Sequence, residues 1–348
     1  VLSPKNSPRG KLMSQYVCVR VPRMDDIDIG LFDYDRYNTL YFFILNADEQ
    51  IYMRYGGRDG QSQDTFLSLD ALELALAKGL ELHQQYTQGK LAKKPRPKPL
   101  FAREFPLLVE RTFKAGACVE CHLIGDYQNV HRELDGTLDK PQHMYRSPDL
   151  RKIGLIVDIP KGLIVKEAKA EAAVAGLAPG DRITALEGQT VWTYGDLQYA
   201  YDLLPRTAEQ VRLTVERQGK PVDVAISLPV RWWLTDTRFR QMTIDSRVYF
   251  DSRPMTEAEK SERGLAKDGF ASMVTHVDAF AEMMKSHALK VGDVIFAVDG
   301  AERDPVANTA ELFIKLRKKA GDPVTLGVWR DGAKLEMPIK TYRMSFRK

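Results

Sequence analysis

Cys118-Val-Glu-Cys121-His122 is the stretch of this chain whose residue types and spacing point most directly to chemistry. Two thiols three positions apart on one helical turn can react with the two vinyl groups of one porphyrin, and the adjacent imidazole can then ligate the iron. Left bare, the same pair is a redox-active dithiol in which His122 lowers a thiol pKa. A zinc site would take both cysteines, His122 and another histidine, but the second Cys-x-x-Cys or His-x-x-His pair that such sites bring is missing. Two unmodified buried cysteines are the structural alternative. The spacing favours haem.

The approach to the motif, Phe113-Lys-Ala-Gly-Ala-Cys118, resembles that of c-type cytochromes, with small residues where a macrocycle comes close. The resemblance implies one covalent haem c on Cys118 and Cys121, with His122 as proximal ligand. Candidates for the distal ligand are His143, Met144 and His131, in that order. His131 follows His122 on what reads as the same helix, so reaching the opposite haem face needs a sharp reversal. His143-Met144 lies in a Pro/Gln/Ser-rich loop that is free to fold over. A strong ligand there makes a closed electron-transfer site, and an open position admits a small molecule.

The elements around the motif begin with a mixed α/β segment. Tyr16-Val-Cys-Val-Arg-Val-Pro22 alternates like a strand and stops at a proline. Leu40-Tyr-Phe-Phe-Ile-Leu45 reads as a buried strand, Asn46-Ala-Asp-Glu as a turn, and Gln50-Ile-Tyr-Met-Arg-Tyr55 as the returning strand. Ser68 and Asp70 offer caps for a helix running to about Gln88, with Leu69, Leu72, Leu76, Leu80 and His83 on one face. This order of elements resembles the C-terminal part of a thioredoxin-like fold, over roughly residues 14–88. The Cys-x-x-Cys and cis-proline of that family have no counterpart here, so its chemistry is not implied. Residues 89–103 carry six basic residues, no acid and prolines at 95, 97 and 99, which suits an extended spacer or a basic strip for an acidic partner.

The second half contains a repeat. Ala175-Gly-Leu-Ala-Pro-Gly180-Asp181-Arg-Ile183 matches Ala288-Leu-Lys-Val-Gly292-Asp293-Val-Ile295. Each copy continues through an apolar strand to an acid–glycine turn, Glu187-Gly188 or Asp299-Gly300, and later to Arg217-Gln-Gly219 or Arg330-Asp-Gly332. These residues resemble PDZ domains of the bacterial type. The resemblance implies strand addition of a peptide to an open sheet edge, with its carboxylate held by a glycine-containing loop. The matching residues are Gly154-Leu155-Ile156 and Gly269-Phe270-Ala271. Neighbouring parts of the same chain filling these grooves is the alternative.

The chain has 348 residues, 44% hydrophobic and 28% charged, which suits two to three globular domains. Fifty-one basic against 47 acidic residues leave a net charge of +4, too little to argue for nucleic acid. No apolar run is long enough to cross a bilayer as a helix, and the first residues lack a signal-peptide pattern. Gly-x-Ser-x-Gly, a P-loop and His-Glu-x-x-His are absent, so no hydrolase signature is present.

The expected architecture is mixed α+β: a thioredoxin-like domain (1–88), a basic linker (89–103), a haem segment (104–149), a PDZ-like domain (150–230), an aromatic-rich connector (231–262) and a second PDZ-like domain (263–342). The combination resembles bacterial exported proteins that join thioredoxin-like and PDZ domains. Together with haem attachment, it implies a periplasmic or otherwise extracytoplasmic mature chain with its signal peptide removed. The expected function is a monohaem c-type cytochrome passing electrons to a redox partner protein, with the PDZ-like domains holding other proteins. A thiol–disulfide oxidoreductase using Cys118 and Cys121, or a non-catalytic PDZ scaffold, is the alternative.

Overall fold

A computed structural model describes residues 3–283 and 288–343. Two compact units are present, one formed by residues 1–131 with 141–240 and the other by residues 132–140 with 241–348. Among the described residues no helix is long and apolar enough to cross a membrane.

In the first unit, β1 (Tyr41–Leu45) and β2 (Ile51–Gly56) form an antiparallel hairpin. Its turn is set by Asn46, whose side-chain oxygen accepts the N–H groups of Asp48 and Gln50, each at 3.0 Å. Helix α1 (Leu69–Thr87) starts at Ser68, whose hydroxyl accepts the Ala71 N–H. Its buried face, including Leu72, Leu76 and Leu82, closes over Ile44, Tyr52 and Met53 of the hairpin.

The thioredoxin-like reading is corrected here. Among the described residues β1 and β2 make a two-stranded sheet with no third member. The stretch Tyr16 to Pro22 is not a strand, and Val17 and Val19 are 93% and 78% exposed. Alternating β-branched residues make a strand only where a neighbour completes the ladder and covers one face, and among the described residues no neighbour is present. The basic strip is held to its own chain: Arg96 pairs with Asp28 at 3.1 Å and with Glu49, and Arg103 with Asp26 at 2.9 Å.

Helix α2 (Cys121–Asp135) begins within the cysteine motif. The first repeat copy is a sheet of β3 (Leu155–Asp158), β4 (Ile164–Ala168), β5 (Arg182–Leu186), β6 (Gln189–Thr190), β7 (Gln210–Arg217) and β8 (Lys220–Ser227). The order across it is β3-β4-β5-β7-β8, with β6 beside β5. Helix α3 (Tyr194–Asp202) belongs to this copy. In the second unit, β9 (Phe250–Pro254), β10 (Ser272–Val277), β11 (Val294–Val298), β12 (Pro323–Arg330) and β13 (Ala333–Lys340) repeat that order, and α4 (Ala310–Arg317) takes the place of α3.

The shared motif is explained by one structural device. Gly180 and Gly292 take φ of +90° and +93°, which an L side chain resists. Each turn presents the following aspartate to an arginine fork. Arg217 donates to the two Asp181 oxygens at 2.7 and 2.6 Å, and Arg330 donates to those of Asp293 at the same distances. The same aspartates accept the N–H groups of Ala178 and Lys290, fixing both turns.

Two boundary expectations shift. The connector 231–262 contains β9, the first strand of the second sheet. Its aromatic pair is buried in the first unit: Trp232 packs on Tyr201 with ring centroids 4.6 Å apart, and Trp233 donates its indole N–H to the Arg206 carbonyl at 3.1 Å.

Candidate functional site

The cysteine motif straddles the start of α2, with Cys118 in the preceding loop and Cys121 as the first helical residue. The two thiols have different surroundings. Cys118 is exposed, whereas Cys121 is half-buried, packed on the Met24 and Ile29 cluster, and accepts the Tyr34 O–H at 3.0 Å. Val119, between them, is fully buried in that cluster. His122 Nε2 lies 3.2 Å from the Glu120 carboxylate. Of the distal candidates, Met144 is fully buried, His131 packs its ring on Phe105, and the His143 carbonyl accepts from Asn129. Among the described residues no group of three or more His, Cys, Asp or Glu gathers in a way that could hold a metal ion.

The better-built site is the cleft side of α3 in the first copy. Residues 54–59 run beside this helix from its first turn to its middle. Asp196 Oδ1 accepts the Arg54 N–H at 2.8 Å, and the Thr193 hydroxyl donates to the Arg54 carbonyl. One turn on, the Gln198 amide brackets Arg58, accepting its N–H at 3.1 Å and donating to its carbonyl at 2.7 Å. Gly57, at φ +126°, permits the approach, since a Cβ there would sit 2.8 Å from Gln198 Oε1. Phe66 then stacks on Tyr194 with centroids 3.9 Å apart. Arg151, in the turn leading into β3, pairs with Asp59 at 2.7 Å and lies over the Phe66 ring. Residues 57–66 therefore touch both the helix and the turn that leads into β3.

Of the residues expected to hold a peptide carboxylate, Gly154 is fixed by sterics. It sits at φ +78°, where a Cβ would fall 1.8 Å from the Lys169 carbonyl. Leu155 is buried and Ile156 half-buried. In the second copy, Gly269-Phe270-Ala271 do not occupy the matching place. They lead into β10, which is bonded on both sides, to β9 and β11, so no edge is open there. The counterpart of Gly154 to Ile156 is the turn leading into β9. Sequence matching missed it because that turn, Asp245-Ser-Arg-Val-Tyr249, carries no glycine, and only strand pairing identifies it.

Beside that turn lies Lys140, whose ammonium donates to Ser246 Oγ at 3.0 Å, to the Lys315 carbonyl at 2.9 Å and to the Lys318 carbonyl. It thereby satisfies carbonyls at the end of α4. Burial pushes its pKa down to about 8, against the opposing pull of Asp245, Glu133 and Asp322.

A pH dependence follows from Asp196. Burial pushes its carboxyl up to about 6, although the Arg54 N–H and guanidinium favour the anion. The folded state therefore holds the proton more tightly than the unfolded chain, whose aspartates titrate near 3.9. The stability this contributes is full below about pH 4 and is lost as pH rises through 6, a change of about 3 kcal/mol. Asp196→Asn is expected to remove this component. Urea denaturation of both proteins at pH 4 and pH 7 measures it, and parallel pH profiles would show that Asp196 does not titrate in this range.

Comparison with known proteins matches residues 167–217 to the PDZ domain family. The periplasmic serine endoprotease DegP of Salmonella typhimurium is 30% identical over 158 residues, 45% of this chain and 30% of that protein. DegP of Escherichia coli K12 is 29% identical over the same share of each. The matched stretch thus spans about a third of the length of these relatives. The solved HtrA-type protease AlgW with a decapeptide covers 49% of this chain and 57% of its own, at 13% identity and a TM-score of 0.25, too slight a similarity to bear on the fold.

These relatives overturn the cytochrome expectation: they are named as proteases, not haem proteins, and the geometry agrees. Cys118 is exposed while Cys121 is half-buried and bonded to Tyr34, and Val119 and Met144 are fully buried. The covalent haem, the electron-transfer role, the redox partner and the thiol–disulfide alternative are withdrawn. What the chain carries, within its first repeat copy, is a PDZ domain.

Proposed function

We propose that this chain binds other proteins by taking up an extended peptide end, and that its second repeat copy does the binding. The carrying observation is β9. Among the described residues it pairs only with β10, so its outer side is the edge of the sheet. The Met255 N–H points to the Ala271 carbonyl, and the two-residue period of a strand then turns the Ser252 N–H outward. A peptide added there would pair its main chain with β9 and bring its carboxylate to the turn that leads into that strand. In the first copy the corresponding cleft is closed by residues 57–66. Similarity to the periplasmic DegP supports an extracytoplasmic setting.

The test is fluorescence polarisation with a pooled library of fluorescein-labelled decapeptides, as free acids and as C-terminal amides. Free acids are expected to bind in the micromolar range and the amides at least tenfold more weakly. Ser252→Pro removes one outward N–H while respecting the tolerance of edge strands for proline, and should abolish binding. Absence of binding by any free acid, or full binding by Ser252→Pro, would refute the proposal. The DegP similarity favours a second reading, that bound polypeptides are also cut. Incubation with unfolded casein, with and without a serine-directed fluorophosphonate, decides it.

A further inference from the structure

We propose that a half-enclosed cavity of about 310 Å³ in the first unit binds a small amphipathic anion, a carboxylate carried on a short apolar body. Its walls come from three separate parts of the chain: Leu74 and Ala75 of α1, Ile159 and Leu163 around the β3–β4 turn, and Trp192 and Tyr194 at the start of α3. The volume is at the low end of the range for small-molecule pockets. Leu74 and Trp192 remain 52% and 38% exposed at this site, apolar surface that a ligand would cover.

The charge of the lining selects the ligand. Lys78, Lys161 and Arg182 line the cavity, and among the described residues no aspartate or glutamate does. Lys78 lies over the Trp192 ring at 4.1 Å and pairs with Glu81, while Lys161 pairs with Asp158. Arg182 forms no ion pair among the described residues, although its strand neighbour across the sheet is Glu216. Its guanidinium is the fork suited to a carboxylate, with the alkyl or aryl body lying on Trp192, Leu74 and Leu163.

The occupant is small because the cleft does not run on. Phe66, stacked on Tyr194, forms part of the wall, and Gln198 in the next turn of α3 is already engaged with Arg58. A through-running peptide has no exit in that direction. Helix α1 belongs to neither repeat copy, so this pocket comes from packing the N-terminal segment on the first copy. It does not depend on peptide binding by the second.

Octanoate is the probe, titrated into the full chain by calorimetry, with octanamide as its uncharged match. One saturable site is expected, with octanamide binding at least tenfold more weakly. Arg182→Glu should weaken octanoate at least tenfold, and Leu74→Asp should abolish it, each with an unchanged circular dichroism spectrum. In Trp192→Phe the octanoate-induced change in tryptophan emission should disappear. The proposal is overturned if octanoate shows no saturable binding, if octanamide binds equally well, or if Arg182→Glu leaves the affinity unchanged.

Discussion

Replacing Arg240 by methionine is expected to destabilise the first unit by about 3–5 kcal/mol. The guanidinium and the Asp35 carboxylate are each 2% exposed and meet through two bonds of 2.6 Å. Arg240 also donates to the Arg146 carbonyl at 3.0 Å, and Asp35 accepts the Ser147 hydroxyl at 2.8 Å. Burial alone would raise the Asp35 pKa, but the charges of Arg240 and Arg146 and these bonds hold it well below the usual carboxylate range. Without Arg240 the carboxylate stays buried with its main partner gone, which costs far more than the pair itself is worth. Asp35→Leu combined with Arg240→Met should therefore cost much less than the sum of the single changes. Urea denaturation of the four proteins at pH 7 closes the cycle. A single-variant cost below about 1 kcal/mol would mean that water reaches the pair.

That ion pair links residues 205 positions apart, and nothing local in either stretch announces it. Helix α1 was legible because its cap and its apolar spacing are local, and the observed Leu69–Thr87 follows from them. Even there the facing was off by part of a turn: Leu69 is 59% exposed, and Ala71, Ala75 and Gly79 line the buried side. The small residues let α1 lie close to the hairpin, a tertiary demand that hydrophobic periodicity does not carry. The repeat was legible because its glycine and aspartate positions are set by a turn closed with an arginine fork in both copies. The thioredoxin-like frame failed because element order does not specify pairing, and Tyr16 reaches α1 through its hydroxyl instead of entering a sheet. The cysteine motif misled for a related reason. Spacing states what two thiols could reach, but burial of Val119 and the Tyr34 bond to Cys121 decide what they face. Of the candidate site, the glycine turn before β3 was visible in the sequence. The segment lying across it was not, since the Arg58–Gln198 bonds span 140 residues of chain.

Phe66→Ala is expected to release that segment. The ring is 5% exposed and stacks on Tyr194 at 3.9 Å, with Arg151 at 5.5 Å on the way into β3. Truncating a buried phenylalanine costs about 3–5 kcal/mol. Here the loss falls on the docking of residues 57–66 more than on the sheet, because β3 to β8 keep their own ladder and core. What remains includes the bracket between the Arg58 main chain and Gln198, the Arg58 guanidinium's bond to the Tyr37 carbonyl and its place over the Phe239 ring, and the Asp59–Arg151 pair, in which Arg151 is partly exposed, so that this pair contributes little. Amide hydrogen exchange in 57–68 and 194–202 should accelerate while exchange in β7 and β8 stays slow. If this segment is what closes the first cleft, opening it should also create a peptide site. The clean background is Ser252→Pro, in which the second copy is expected to be silent. In that background Phe66→Ala should restore binding of free-acid decapeptides, and amidated peptides should bind less. Unchanged exchange at 194–202 would show that the stack does not hold the segment down. Faster exchange without restored binding would show that the first cleft is not a peptide site even when open, which would leave strand addition to the second copy alone.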